Sequence, residues 1–553
     1  MSEKTSVMHK KSRRGLPFHE IRSIITSGDS AKLKEIIKEG RIDDINMTSS
    51  NFSPVESLLS FACQSGFIDC AEVLLENGAD VNFCDYKNNN PVLESSVLSG
   101  SADIIKLLIT RGIIYDDFFL LKLFRGRRIA ADTDIADILV DLIEDVNYSE
   151  EHHLREPSSF LYYSCIAGNL SATQSLIHRG ATQLPSALRG ACAYGHIEVV
   201  KLILYEAKGK ADRLMTDEGL KDALVEASRC GHLAIVQLLF EYGDGGSDVL
   251  DCGVRSEGKA KLGGWITGDA MKRVLVAASG HGAKKLMTGG RCGDGHMDIM
   301  KMLIEHGVDA DALNAALWRA VYYDSVEVVE LLIDSGADIS AVTAGGARGV
   351  LGNALTIACK HGYPPIVRLL LVRGADPNQQ GVPSPLLNVI SRYSHGVEII
   401  QLLLEYGADP NDTRTVTSPL KVALQRLEAL QALLEYGANP NILFSDGSTA
   451  LLEVLEQFHG KRLDAFTLLL QHDADPNFAK AHTGETPLMV AATAIRVEYV
   501  KLLLEYGADV TQTNTAGQTV LDMLGRTRKY SEVVDLCTSY VETNRPGEKH
   551  VLK

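Results

Sequence analysis

The chain has 553 residues, of which 45% are hydrophobic and 23% charged, with a formal net charge of −16. The length is too great for one compact core, and the ordinary composition excludes wholesale disorder. The negative balance argues against general binding to nucleic acid or to anionic membrane surfaces.

No apolar run reaches the roughly 18 residues that a membrane span requires. The stretch MSEKTSVMHKKSRR, Met1 to Arg14, has no apolar core for a secretory signal. The expected compartment is the cytoplasm, with the nucleus as the alternative. Cys63, Cys165, Cys192 and Cys359 each stand three residues before a glycine. One small buried slot, filled by reduced cysteine, explains that spacing better than disulfides do.

Residues 1–15 read as a polar, basic, disordered tail, although His9 to Arg14 also fits a nuclear address. From Leu16 a helical period begins. Its first unit, SGDSAKLKEIIKEG (Ser27 to Gly40), is degenerate, and the second, Pro54 to Asn82, shows two short apolar helices around Gly66. A third runs from Pro91 to Gly112. The fourth, Phe118 to Asn147, keeps the period but lacks a closing glycine. The fifth ends at Gly180, the sixth carries YGHIEVVKLIL (Tyr194 to Leu204), and the seventh carries CGHLAIVQLLFEYG (Cys230 to Gly243).

Residues 244–269 are Gly-rich and aperiodic, which suits an enlarged loop. Ala278-Ser279 matches Ala227-Ser228, and Gly295-His296 resumes where Gly231-His232 would stand, so 280–292 reads as an insertion between two helices. A retained intron or an error in the gene model would also produce such stretches. Beyond His296 the pattern is regular, with units ending near Gly307, Gly336, Gly374, Gly407, Gly437, Asp473 and Gly507. The last, Gly517 to Val541, has a more polar helix that suits a solvent-facing cap.

The expected division is therefore a tail at 1–15, repeats at 16–243, irregular insertions at 244–292, repeats with a cap at 293–541, and a polar tail at 542–553. About fifteen units fit.

The recurring phrase is LLLEYGADPN, Leu402 to Asn411. It returns as LLEYGANPN (Leu433 to Asn441), LLLVRGADPN (Leu369 to Asn378), LLENGADVN (Leu74 to Asn82) and LLLEYGADV (Leu502 to Val510). Gly374, Gly407, Gly437 and Gly507 lie 33, 30 and 70 residues apart, a period near 33 with the last interval spanning two units. The glycine ends a helix because it alone enters the left-handed region at no steric cost.

The fullest unit is GETPLMVAATAIRVEYVKLLLEYGADVTQTN, Gly484 to Asn514. Thr486 is placed to cap the first helix, Pro487 fits its first turn, and Ala491-Ala492 allow close helix approach. This resembles the ankyrin repeat. Ser384-Pro385-Leu386 and Ser418-Pro419-Leu420 match the same opening, and Gly195-His196, Gly231-His232 and Gly295-His296 match its middle turn. The resemblance runs from about residue 16 to 541. It implies an all-α solenoid of stacked helix-turn-helix units with short β-hairpin fingers, in which a unit buries its apolar faces only against its neighbours. Phe118 to Asn147, the shortened turn before Leu427, and Asp473 depart from the family pattern.

No catalytic constellation stands apart from the repeat, so no enzyme, cofactor or metal is expected. Turn histidines His196, His232, His296 and His361 are expected to hydrogen-bond between adjacent turns. His152-His153 lack partners at ligand spacing, and a zinc site from Cys252, Cys292, His281 and His296 is a weak option. Ser384-Pro385 and Ser418-Pro419 could be read as phosphorylation sites, but each serine is already explained as a helix cap.

The resemblance further implies hydroxylation at finger asparagines, here Asn82, Asn378, Asn411, Asn441 and Asn477. It also implies a monomeric scaffold or adaptor that binds proteins through finger tips and first-helix surfaces, not nucleic acid or membrane. Basic spots such as Arg125, Arg127 and Arg128 would tune partner choice. The alternatives are a substrate-recognition subunit of a ubiquitin ligase, for which the Glu542 to Lys553 tail is too short to hold the usual docking box, or an enzyme with a site in 244–292.

Overall fold

In the computed structural model the residues described are 15–48, 57–83, 91–126, 133–150, 158–209, 217–243, 266, 268–280, 294–345, 350–379, 384–392, 396–412, 417–457, 462–525 and 528–543. Most of the Gly-rich stretch, all of 281–293, and Arg127, Arg128, His152, His153, Cys252, His281 and Cys292 lie outside them.

Thirty described helices form fifteen successive pairs, each a first and a second helix, joined by a tight turn wherever the residues between them are all described. Numbered along the chain, the pairs that matter below are repeat four (Asp117–Phe124 and Thr133–Leu142), repeat five (Phe160–Ala167 and Leu170–His178), repeat six (Leu184–Tyr194 and Ile197–Gly209) and repeat seven (Asp217–Cys230 and Leu233–Gly243). Later come repeat nine (Ala310–Tyr322 and Val326–Asp334), ten (Ala354–His361 and Pro364–Val372), eleven (Pro385–Arg392 and Val397–Glu405), twelve (Pro419–Ala423 and Leu427–Glu435), thirteen (Ala450–Gln457 and Leu463–Gln471) and fourteen (Pro487–Thr493 and Val497–Glu505).

The chain divides into two compact units, residues 1–278 with 284–307, and residues 279–283 with 308–553. Within the first, Leu184–Tyr194 packs between Phe160–Ala167 and Asp217–Cys230, and Leu170–His178 packs on Ile197–Gly209. Within the second, Pro385–Arg392 lies between Ala354–His361 and Pro419–Ala423, and Val397–Glu405 lies between Pro364–Val372 and Leu427–Glu435. First helices stack on first helices and second on second, which is how units that bury nothing alone share a core.

The class is all-α. Strand pairing is confined, among the described residues, to two antiparallel fingers, Ser149–Glu150 with Ser158–Ser159 and Thr343–Gly345 with Val350–Gly352, plus a single bridge between Thr48 and Ser57. Elsewhere the described finger residues fold as tight turns, as at Asp376 to Gln379 and Asn439 to Ile442.

Local chemistry sets the helix ends. The hydroxyls of Thr486 and Ser418 each accept the N–H three residues on, from Met489 and Lys421 at 3.3 Å, and Ser384 does so more loosely from Leu387 at 3.5 Å. Gly507 takes φ 85° after the second helix of repeat fourteen. Asp473 takes the same role at φ 62°, and Ile495 stands at φ 56° in the mid-repeat turn where most repeats have glycine. Both non-glycine residues carry steric strain there.

The core is aliphatic, with aromatic pairs such as Phe124 on Phe160 at 5.3 Å and Phe466 on Tyr499 at 4.8 Å. Cys63, Cys165, Cys192 and Cys359 are buried, free thiols. Burial pushes Cys63 and Cys165 up to about 12, so they pack as small apolar side chains and not as nucleophiles.

Candidate functional site

Three sets of side chains run across the repeat boundaries. The first is a ladder of finger asparagines. Asp409 Oδ1 accepts the N–H of Asn411 at 2.9 Å, closing a local turn that aims the asparagine at the next finger. There Asn411 Oδ1 accepts the N–H of Asn439 at 2.7 Å, and its Nδ2 donates to the carbonyl of Gly437 at 3.2 Å. Asn82 bridges in the same way to Ile114 and Gly112, Asn378 to Asp409 and Gly407, Asn441 to Asp475 and Asp473, and Asn477 to Asp509 and Gly507.

All five asparagines singled out in the sequence thus hold finger to finger. Asn46 and Asn147 do the same, reaching Asp80 and Thr182, and were not singled out. The spacing Asp-x-Asn, shared by Asp44-Ile45-Asn46 and Asp145-Val146-Asn147, is the signal that identifies them.

The second set stands just after the mid-repeat turn. His196 Nε2 donates to the carbonyl of Ile166 in the preceding repeat, as His232 does to Ala193 and His296 to Arg229. Tyr363 reaches Tyr322, and Arg426 reaches Ser391, both at the equivalent carbonyl. Arg496 donates to Leu455. One position therefore performs one task with three chemistries. His361 differs from expectation: it precedes Gly362, so Tyr363 takes the inter-turn bond and His361 turns to an aromatic cluster instead.

Repeat four solves its missing glycine with one side chain from the next repeat and one of its own. The Arg179 guanidinium from repeat five donates to the carbonyls of Val140 and Ile143, and Asp117 accepts the N–H groups of Glu144 and Asp145. Repeat twelve accommodates its shortened turn with a first helix of only five residues, Pro419–Ala423.

The third set is the side chains left over near the ends of first helices. Tyr322, Arg392 and Gln425 are exposed there in repeats nine, eleven and twelve. Further along, Lys421 pairs with Asp446 at 2.7 Å and with the largely buried Glu453 at 3.3 Å, and Lys480 pairs with Glu456 at 2.8 Å. The hydrogen bond from Lys421, then that from Ser448, holds the Asp446 carboxyl well below the usual carboxylate range. Among the described residues no group of three or more His, Cys, Asp or Glu is arranged to hold a metal ion. No described helix is long and apolar enough to cross a membrane.

The family model for ankyrin repeats (three copies) matches residues 23–117, 161–251, 291–343, 355–444, 420–514 and 454–544. The chain belongs to the ankyrin-repeat family. Members of this family are mostly non-catalytic binding modules, and their repeats generally mediate protein–protein interaction.

Among curated relatives, this ankyrin-repeat chain is 30% identical over 359 residues to the ankyrin repeat and KH domain-containing protein mask-1 of Caenorhabditis elegans, covering 62% of this chain and 10% of that protein. It is 28% identical over 285 residues to the E3 ubiquitin-protein ligase KEG of Arabidopsis thaliana, covering 48% of this chain and 17% of that one. The chain thus spans only a small part of these relatives. Among solved structures, an ankyrin repeat domain from Acinetobacter baumannii AYE is 30% identical, with a TM-score of 0.32, covering 35% of this chain and 98% of that domain.

Proposed function

We propose that this ankyrin-repeat chain is a non-catalytic scaffold or adaptor that binds partner proteins through its finger tips and first-helix ends, as a monomer in the cytoplasm. What supports this is the division of labour among side chains. The asparagines and post-turn residues are consumed in holding repeats together. Those near the first-helix ends, Tyr322, Arg392 and Gln425, are left for something else. Exposed aromatic and arginine side chains are the types that anchor protein interfaces.

The test is a pull-down with the full chain and with charge reversals along this face, Arg392→Glu, Glu456→Lys and Lys480→Glu. Specific proteins should be recovered by the parent and lost with the reversals. Recovery that is indifferent to changes across the whole face would contradict the reading.

A second reading, substrate recognition for a ubiquitin ligase, draws only on the name of the Arabidopsis relative. Co-purification of cullin or adaptor subunits would favour it. A modification is also proposed: hydroxylation of one or more of Asn82, Asn378, Asn411, Asn441 and Asn477. Peptide mass spectrometry of the native protein would show one added oxygen, and unmodified peptides at all five sites would remove the idea.

A further inference from the structure

An aromatic cluster joins repeats nine and ten. The Tyr322 ring stacks on Trp318 at 5.5 Å with 12° between planes, and meets His361 edge-on at 4.9 Å. His361 in turn stacks on Tyr363 at 5.8 Å. Although held on two sides, Tyr322 keeps 41% of its surface exposed. Its ring is therefore fixed in place before anything binds, so little side-chain entropy is left to lose on binding.

Cations surround the cluster. The Arg319 guanidinium lies over the Tyr323 ring at 5.4 Å, and Tyr323 packs against Tyr322 at 5.2 Å. Arg392 is exposed at the end of the next first helix, close enough to act electrostatically on His361. Burial, then Lys360 and Arg392, holds His361 below its ordinary value. In the same unit three partly buried cations are matched: Arg373 by Glu330 and Asp334, Lys421 by Asp446, Lys480 by Glu456. Arg319 and Arg392 make no ion pair among the described residues. Two guanidiniums without an ion pair beside a preset aromatic surface, in a chain of net charge −16, select locally for the opposite sign.

From this we infer that the first-helix ends of repeats nine to eleven dock an acidic, extended polypeptide segment, with an aromatic or long aliphatic side chain of that segment packed on Tyr322 and its carboxylates paired with Arg319 and Arg392. The inference rests on the scaffold reading above and names the chemistry of the partner. Guanidinium and carboxylate match as paired donors and acceptors, and the exposed ring supplies apolar area. A polyphosphate would find only these few cations before meeting the negative field of the whole chain.

The experiment uses the full chain with Trp265, the other tryptophan, changed to phenylalanine, so that Trp318 reports on the site. Three labelled probes are titrated: a peptide alternating glutamate and phenylalanine, the same peptide with glutamine for glutamate, and an oligodeoxythymidine. The acidic peptide should bind at least about tenfold more tightly than the glutamine peptide and shift Trp318 emission. Arg392→Glu, an exposed change that leaves thermal unfolding in place, should weaken the acidic peptide by about tenfold or more. Equal affinity for the two peptides, no binding of either, tighter binding of the oligonucleotide, or an Arg392→Glu chain that binds as the parent does would each overturn the site. Pull-down partners lost with Glu456→Lys but kept with Arg392→Glu would overturn it while leaving the scaffold reading intact.

Discussion

The imidazole of His196 fills the space that a side chain at Gly168 would need. A Cβ built on Gly168 would come within 2.5 Å of His196 Nδ1, while Nε2 of the same ring lies 3.1 Å from the Ile166 carbonyl. His232 on Gly195 and His296 on Gly231 repeat the arrangement. Gly168 also stands at φ 77°. Gly168→Ala should therefore cost about 1–3 kcal/mol, from left-handed strain and from the ring it displaces. Urea unfolding measures it. In the double variant with His196→Ala the clash is gone and only the strain remains, so the two costs should fail to add. Strict additivity would show that ring and glycine do not touch.

Burial outweighs the opposing hydrogen bond to the Ala193 carbonyl and, helped by His296 and His196, holds His232 below its ordinary 6.5. Unfolded, the same imidazole takes a proton at its ordinary value, and the folded chain resists that proton. Below 6.5 the unfolded state therefore binds more protons, and stability is lost as pH falls. The urea midpoint of the first unit should stay level above the ordinary value and decline beneath it, and His232→Gln should flatten part of the decline. A midpoint that rises on acidification across that window would contradict the assignment.

Arg179 stands in for the glycine that repeat four lacks. With Arg179→Met the carbonyls of Val140 and Ile143 lose their donor, at a cost of about 1–3 kcal/mol. Amide exchange should rise first in 133–148, ahead of the neighbouring repeats. Uniform exchange across the unit would show that the cap is dispensable.

Ile495 is a β-branched residue held at φ 56°. At 38% exposure its side chain has little packing to lose. Ile495→Gly should raise stability by about 1 kcal/mol by removing left-handed strain. A loss of stability would mean that its contacts outweigh the backbone.

The repeat itself was legible because its signals are local. Leu503 and Leu504, Gly507 and the Thr486-Pro487 opening sit within one unit and need no partner to be read. The bonds between units were less so, because residues thirty or forty apart must meet before their chemistry makes sense. Nothing around Arg179 announces that it caps Val140. His196, Tyr363 and Arg426 share a position and a task but no residue type, so a Gly-His pattern finds only the first of them. His361 was grouped with the turn histidines for the same reason, a residue type beside a glycine, although it lies on the other side of that glycine. At the first-helix ends, where Arg319 and Arg392 stand, periodicity says only that side chains face outward.

A synthetic peptide of residues 484–514 isolates the fullest repeat from the neighbours said to hold it. Its far-ultraviolet circular dichroism, followed with temperature in dilute buffer, should show little helix and no cooperative transition, while the full chain melts cooperatively. A sharp transition in the peptide, with helix like that of Pro487–Thr493 and Val497–Glu505 in the intact repeat, would show that a single repeat stands alone and that the bonds between repeats are not what holds the array.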